Sequence, residues 1–191
     1  MEGDDLRFLR STRSILQDPK SARLDSIQTD LILLHARRAT KPHSVREANT
    51  HPFLAERHDR FWAFCHNGTV EDRRHLEALE GASLAGRTDS EVLFHHILGR
   101  IDPEDPERSL LASVAKIDDY TSLHSFLAND RWILALAKRH PRKGLKEYHA
   151  LWEGLGPDIH VVSSEPVDGI GCDRWTRMPE PGTVLLRRDG R

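Results

Sequence analysis

Two apolar segments, residues 121–128 and 131–138, are separated only by Asn129-Asp130. A two-residue link leaves no room for a crossover, so the segments must pair antiparallel as a tight hairpin. Further strands are expected at 29–36, through Leu31-Ile32-Leu33-Leu34, and at 61–66, 158–163 and 183–188. Between the strand runs lie helical patterns. Residues 71–80 read as a polar helix. Residues 88–101 carry Phe94, Ile97, Leu98 and Ile101 at helical spacing, and 107–117 carry Leu110, Leu111, Val114 and Ile117. Asp102-Pro103 and the rest of DPEDPE separate these two. An amphipathic helix is also expected over 4–17, with Phe8, Leu9, Ile15 and Leu16 on one face. Residues 37–60 show no period, and a connection that long is usually functional or disordered. Helices grouped between strand runs argue for an α+β fold with antiparallel sheets rather than βαβ winding.

The chain has 191 residues, enough for one domain with a two-layer core. Its 28 Lys and Arg nearly balance 30 Asp and Glu, a net charge of −2 that provides no field for capturing nucleic acid. The apolar runs fall well short of the roughly 20 residues a bilayer requires, so no membrane partner is expected. Met-Glu-Gly-Asp-Asp has neither the basic nor the apolar part of a signal peptide. With only Cys65 and Cys172 there is no disulfide framework, and the cytoplasm is the expected location. The 12 histidines form no HExxH or HxH pair, so neither a metal nor another cofactor is expected.

Four clusters carry chemistry: His35-Ala36-Arg37-Arg38-Ala39-Thr40, Asn49-Thr50-His51-Pro52-Phe53, His66-Asn67-Gly68, and Gly86-Arg87-Thr88-Asp89-Ser90-Glu91. Each has a plain structural reading. Asn67-Gly68 makes a hairpin turn, Thr88-x-x-Glu91 a capping box, Arg37 a solvated strand end and Pro52 a loop anchor. Taken together they describe something else. An Arg fork suits a carboxylate, Asp89 suits an ammonium, and an Asn amide beside a Gly N–H suits a developing oxyanion. Those three groups are the functional ends of an amino acid with an acyl side chain, such as glutamine.

In that order and spacing, and with the later Ser163-Ser164-Glu165-Pro166, the clusters resemble the class II (N-terminal-nucleophile) glutamine amidotransferases, most closely the small stand-alone type. The resemblance runs from about residue 20 to the C-terminal strands. It implies an αββα sandwich of antiparallel sheets in which residues 1–191 form one domain. It further implies that Arg37 and Thr40 hold the glutamine α-carboxylate with His51 lining that side, that Asn67 and Gly68 form the oxyanion hole, and that Asp89 takes the α-amine. Ser163 to Pro166 would be a structural strand end. Pro42 stands where the family usually has a small residue, which bears on the local loop shape.

The family's chemistry uses a cysteine as first residue of the mature chain. Its thiolate forms a γ-glutamyl thioester that water hydrolyses, with the α-amine, of pKa about 8, as general base. This sequence opens Met1-Glu2, so the expectation is that the family's first strands and nucleophile are missing and neighbouring edges lie uncovered. Neither Cys65, in a strand, nor Cys172, after Gly169-Ile170-Gly171, is expected to replace it. The leading functional expectation is hydrolysis of the glutamine side-chain amide to glutamate and ammonia, by a chain that is truncated or inactive as it stands. The alternatives are hydrolysis of a γ-glutamyl amide of a small thiol-type metabolite, and a non-enzymatic glutamine-binding or scaffold role. The implied partners are glutamine or a γ-glutamyl compound, with an ammonia-accepting protein or self-association covering the open edge.

Overall fold

The computed structural model describes residues 7–36, 45–71, 76, 84–86, 88–143 and 150–188. Eight strands and two α-helices occur among them: β1 (Phe53–Arg57), β2 (Arg60–Asn67), α1 (Asp89–Leu98), α2 (Pro106–Ser113), β3 (His124–Ala128), β4 (Trp132–Ala137), β5 (Trp152–Leu155), β6 (His160–Ser163), β7 (Arg174–Arg177) and β8 (Gly182–Arg187). Every strand pairing is antiparallel. A five-stranded sheet runs β1-β2-β3-β4-β8, and a three-stranded sheet runs β6-β5-β7. The mixed α/β class with antiparallel sheets is therefore as the sequence implies.

The hairpin at Asn129 forms as expected. Its side-chain oxygen accepts the N–H groups of Arg131 and Trp132 at 2.8 and 3.0 Å, a turn that an Asn side chain closes by itself. β1 and β2 are joined by His58 and Asp59, both at positive φ (53° and 56°). This two-residue turn matches strand twist, although it carries no Asn-Gly signature.

Side-chain parity divides the large sheet into two faces. Phe53, Trp62, Phe64, Leu127, Trp132, Leu134 and Leu136 face α1 and α2 and make the main core with Leu93, Phe94, Ile97 and Leu110. α1 lies over β1 and β2, and α2 over β4 and β8. The opposite face is built from smaller residues. Ala135 and Ala137 pack with Leu151 and Met178, beside the small sheet, while Ala63, Ala128 and Ile133 pack with Leu31 and Leu33. Small side chains there let a second layer approach closely. β4, covered on both faces, is buried at all six positions, which accounts for its unbroken apolar sequence Trp-Ile-Leu-Ala-Leu-Ala.

Several sequence expectations are corrected. Residues 7–17 are not helical; instead a 3-10 helix spans Pro19–Ser26, with Asp18 accepting the Lys20 N–H at 2.9 Å. Phe8, Leu9, Ile15 and Leu16 are exposed, Leu16 by 90%. An amphipathic pattern without a partner surface does not hold a helix of this length. Residues 29–36, expected as a strand, form no ladder among the described residues; Leu31 and Leu33 pack on the large sheet while Ile32 and Leu34 face out. The aperiodic stretch 37–60 contains β1 and a 3-10 helix, Glu47–Asn49, and β5 and β7 had no counterpart among the expected strands. Most of the helix expected at 71–80 lies outside the described residues. The helix expected at 107–117 starts at Pro106 and ends at Ser113.

Burial differences set the mutational response. Phe94→Ala should cost about 3–5 kcal/mol, because the ring is wholly buried and stacked on Phe64 with centroids 5.3 Å apart. Phe61→Ala, at a ring 61% exposed, should stay within about 0.5 kcal/mol. Urea unfolding of both variants checks the contrast.

Candidate functional site

The site is assembled at one end of the large sheet, where β1 begins, β2 ends and β3 begins. β2 ends in His66 and Asn67, and Asn67 is paired with His124 of β3. The chain then turns through Gly68 at φ 143°. A Cβ on Gly68 would lie 2.0 Å from the Ser122 carbonyl oxygen, so only glycine fits this turn.

α1 meets the turn with its first residue. The Asp89 carboxylate accepts the Val70 N–H at 2.8 Å. A carboxylate in the first turn of a helix is favoured by the exposed N–H groups there. The helix start is itself well fixed. Thr88 Oγ1 accepts the Glu91 N–H at 3.1 Å, which is the expected cap. The Glu91 carboxylate reaches further back than a capping box, accepting the Ala85 and Gly86 N–H groups at 2.7 and 2.8 Å. Gly86 in turn packs so closely on Ala48 and Asn49 that a Cβ there would meet their oxygens at 2.7 and 2.6 Å.

His66 is buried between two elements. Its Nε2 lies 3.1 Å from the Ser122 carbonyl and its Nδ1 2.9 Å from Ser90 Oγ. A carbonyl only accepts, so Nε2 carries the proton and the Ser90 hydroxyl donates to Nδ1. Burial lowers the His66 pKa; the Asp89 charge and the Ser122 carbonyl oppose that shift, and His124 reinforces it. Burial thus favours the neutral ring.

The NTHPF cluster sits at the same end. The His51 ring lies 4.3 Å from His35 and 4.8 Å from Phe53. The structure thus ties the segment after Asn67-Gly68 to the start of α1 through the Val70–Asp89 bond, ties Gly86 to the same helix through Glu91, and places His51 with His35 at the start of β1. Arg37 and Thr40 lie outside the described residues, as do Pro42 and Arg87. Among the described residues neither the Asn67 side chain nor the Gly68 N–H donates a hydrogen bond. A cavity of about 100 Å³ lies alongside, walled by Phe53, Leu54, Glu91 and His95 among others; Asn67, Gly68 and Asp89 do not line it.

Sequence reasoning missed Ser122, which is fully buried and touches residues 66, 67 and 68. The signal available was a polar run, Thr121-Ser122 and His124-Ser125, inside an otherwise apolar strand pattern. The cysteines are both elsewhere. Cys65 is buried, and desolvation pushes its thiol up to about 12. Cys172 packs over Gly154 of β5, in the small sheet.

No helix among the described residues is long and apolar enough to cross a membrane, and no cluster of three or more His, Cys, Asp and Glu suited to a metal occurs among them.

Comparison with known proteins places this arrangement. The fold is similar to that of a Silicibacter pomeroyi protein with a class-II glutamine aminotransferase domain, with a TM-score of 0.65 and 20% identity, covering 100% of this chain and 85% of that one. It is also similar to glutamine phosphoribosylpyrophosphate amidotransferase of Bacillus subtilis, with a TM-score of 0.57 and 23% identity over 82% of this chain and 32% of that one. The class is therefore that of the N-terminal-nucleophile-type glutamine amidotransferase folds. Residues 11–147 match the family model of class-II glutamine amidotransferases, and the chain belongs to that family. An uncharacterised Methanocaldococcus jannaschii protein is 29% identical over 135 residues, 68% of this chain but only 37% of its own length. A Haemophilus influenzae protein provisionally assigned as a glutamine amidotransferase is 25% identical across 97% of this chain and 70% of its own length.

Two outcomes follow from the geometry. Gly68→Ala should destabilise by more than about 1 kcal/mol, because positive φ and the Ser122 carbonyl both exclude a Cβ; thermal unfolding measures this. Acid should also weaken the fold. His66 unfolded titrates near its ordinary 6.5 and folded titrates lower, so its contribution is present above 6.5 and is lost on acidification. His95, likewise lowered by burial, acts in the same sense. The urea midpoint should drop between about pH 7.5 and about pH 5.5, and less so in His66→Gln.

Proposed function

We propose that this chain carries the glutamine-recognition site of a class-II amidotransferase, and that residues 1–191 act as one domain. Asp89 takes the α-ammonium, Arg37 and Thr40 take the α-carboxylate with His51 beside them, and the Asn67 amide and Gly68 N–H face the side-chain carbonyl. The observation that carries this reading is the 2.8 Å bond from the Val70 N–H to the Asp89 carboxylate. It fixes an anion against Val70, two residues beyond Gly68, and neither the Asn67 amide nor the Gly68 N–H donates to a described residue; an anion and free donors are what a bound glutamine needs at its two ends.

The reaction proposed is hydrolysis of the carboxamide to glutamate and ammonia, the ammonia passing to an acceptor. Backbone and amide donors would stabilise the oxyanion that develops on the carbonyl. The attack itself needs a thiolate. Cys65 is disfavoured by its burial and raised pKa, and Cys172 by its place in the small sheet. What these residues support directly is recognition, with the nucleophile supplied from elsewhere.

Calorimetry tests this. The chain should bind glutamine more tightly than glutaramate, which keeps the carboxylate and carboxamide and lacks only the ammonium. Asp89→Asn keeps an acceptor for Val70 but removes the charge, and should weaken binding about tenfold or more, the size of one charge-assisted hydrogen bond. Arg37→Ala should weaken it comparably. Equal affinity of wild type and Asp89→Asn would sink the assignment.

A further inference from the structure

We propose that Ser122 and His66 are the positioning residues of this site, fixing the Asn67–Gly68 turn against the start of α1. The inference rests on the recognition reading given above and gives roles to Ser122, which lies outside the four clusters, and to His66, which lies in one of them without a role of its own. Ser122 contacts the turn in three ways. Its hydroxyl donates to the Asn67 carbonyl at 2.5 Å, its carbonyl accepts the His66 Nε2 proton, and the same carbonyl abuts Gly68 where a Cβ would otherwise stand. His66 carries the connection onward, because its Nδ1 accepts the Ser90 hydroxyl of α1. The order Ser90–His66–Ser122–Asn67 therefore spans α1, β2 and the approach to β3. Each group has one hydrogen-bonding role open to it, since the carbonyls can only accept and the imidazole has one proton to give. A chain of this kind fixes direction as well as distance, because reversing one bond would leave a buried carbonyl facing a lone pair.

Neither residue is assigned contact with the ligand. They act through the turn: the Asn67 carbonyl is held, so its peptide plane is held, and that plane contains the Gly68 N–H. Asp89 reaches the same turn independently through Val70. Two attachments from α1, one by Ser90 and one by Asp89, leave the donors and the carboxylate a fixed separation.

The test uses the full chain with Ser122→Ala and Ser90→Ala, each deleting one hydroxyl. Ser113→Ala serves as control, a buried hydroxyl on α2 that donates only to Leu110. The two-bond proton–nitrogen spectrum of His66 should show Nε2 protonated and Nδ1 bare. Ser122→Ala and Ser90→Ala should each speed exchange of the Val70 N–H about tenfold relative to Leu134, and weaken glutamine binding about tenfold, the loss expected of one hydrogen bond. Ser113→Ala should lower the unfolding midpoint while changing neither. A proton on Nδ1, or wild-type exchange and affinity in Ser122→Ala, overturns the proposal. If the wild-type chain binds no glutamine, the recognition reading fails instead, and the tautomer and exchange data still decide whether the turn is held in this way.

Discussion

One bond, from the Val70 N–H to the Asp89 carboxylate, joins the end of the β2 turn to the start of α1 across 19 residues of sequence. It can form only if α1 sits at one height above the sheet. That height is set by apolar packing further along the helix. Phe94 stacks on Phe64, and Leu93, Ile97 and Leu98 are completely buried with it. The anchoring therefore has two parts, non-directional burial along the helix and directional hydrogen bonds at its start. Burial supplies most of the energy and the hydrogen bonds supply the register.

The large sheet is chemically divided along its strands. Where β2 begins and β4 begins, Trp62 and Trp132 meet edge-on with centroids 5.4 Å apart. At the site end the same helix-facing surface carries His66 and Ser125, with Ser122 and His124 beside them, all buried. Buried polar groups stabilise only when their partners are present. Here they are: both His66 nitrogens are engaged, and His124 Nδ1 accepts the Lys138 N–H at 3.1 Å. Apolar side chains would fill that space with less dependence on geometry. A polar network is the arrangement expected where direction matters more than maximal stability.

The sequence was most legible where one local rule decided the outcome. Asn129-Asp130 between two apolar runs, the helical spacing of Phe94, Ile97 and Leu98, and the Thr88 cap all gave elements at the expected places. It was least legible where tertiary context decided. The amphipathic pattern of Phe8 to Leu16 matches a helix, yet nothing covers that face, and the chain takes another form. β1 was hidden because its hairpin turn uses His58-Asp59, residues that tolerate positive φ without advertising it. β5 and β7 contain Trp, Gly and Arg in no clear alternation, and they exist because each pairs in the small sheet. In the site, residues grouped by motif were visible, whereas Ser122 belongs to no motif and is defined only by the three neighbours it touches.

Cys65 shows why adjacency in sequence is a poor guide to chemistry. It directly precedes His66, and a thiol next to a histidine invites a catalytic reading. Strand parity forbids it: successive side chains leave a sheet on opposite faces, so with His66 turned toward α1, Cys65 must turn toward the second layer. Its neighbours on that face, Ala63 two residues back and Phe126 directly opposite on β3, are apolar, and its thiol is pushed up to about 12 by desolvation alone. Among the described residues no cation or hydrogen-bond donor stands by to stabilise a thiolate there. The same alternation that turns His66 toward Ser90 of α1 thus keeps the adjacent thiol away from that imidazole.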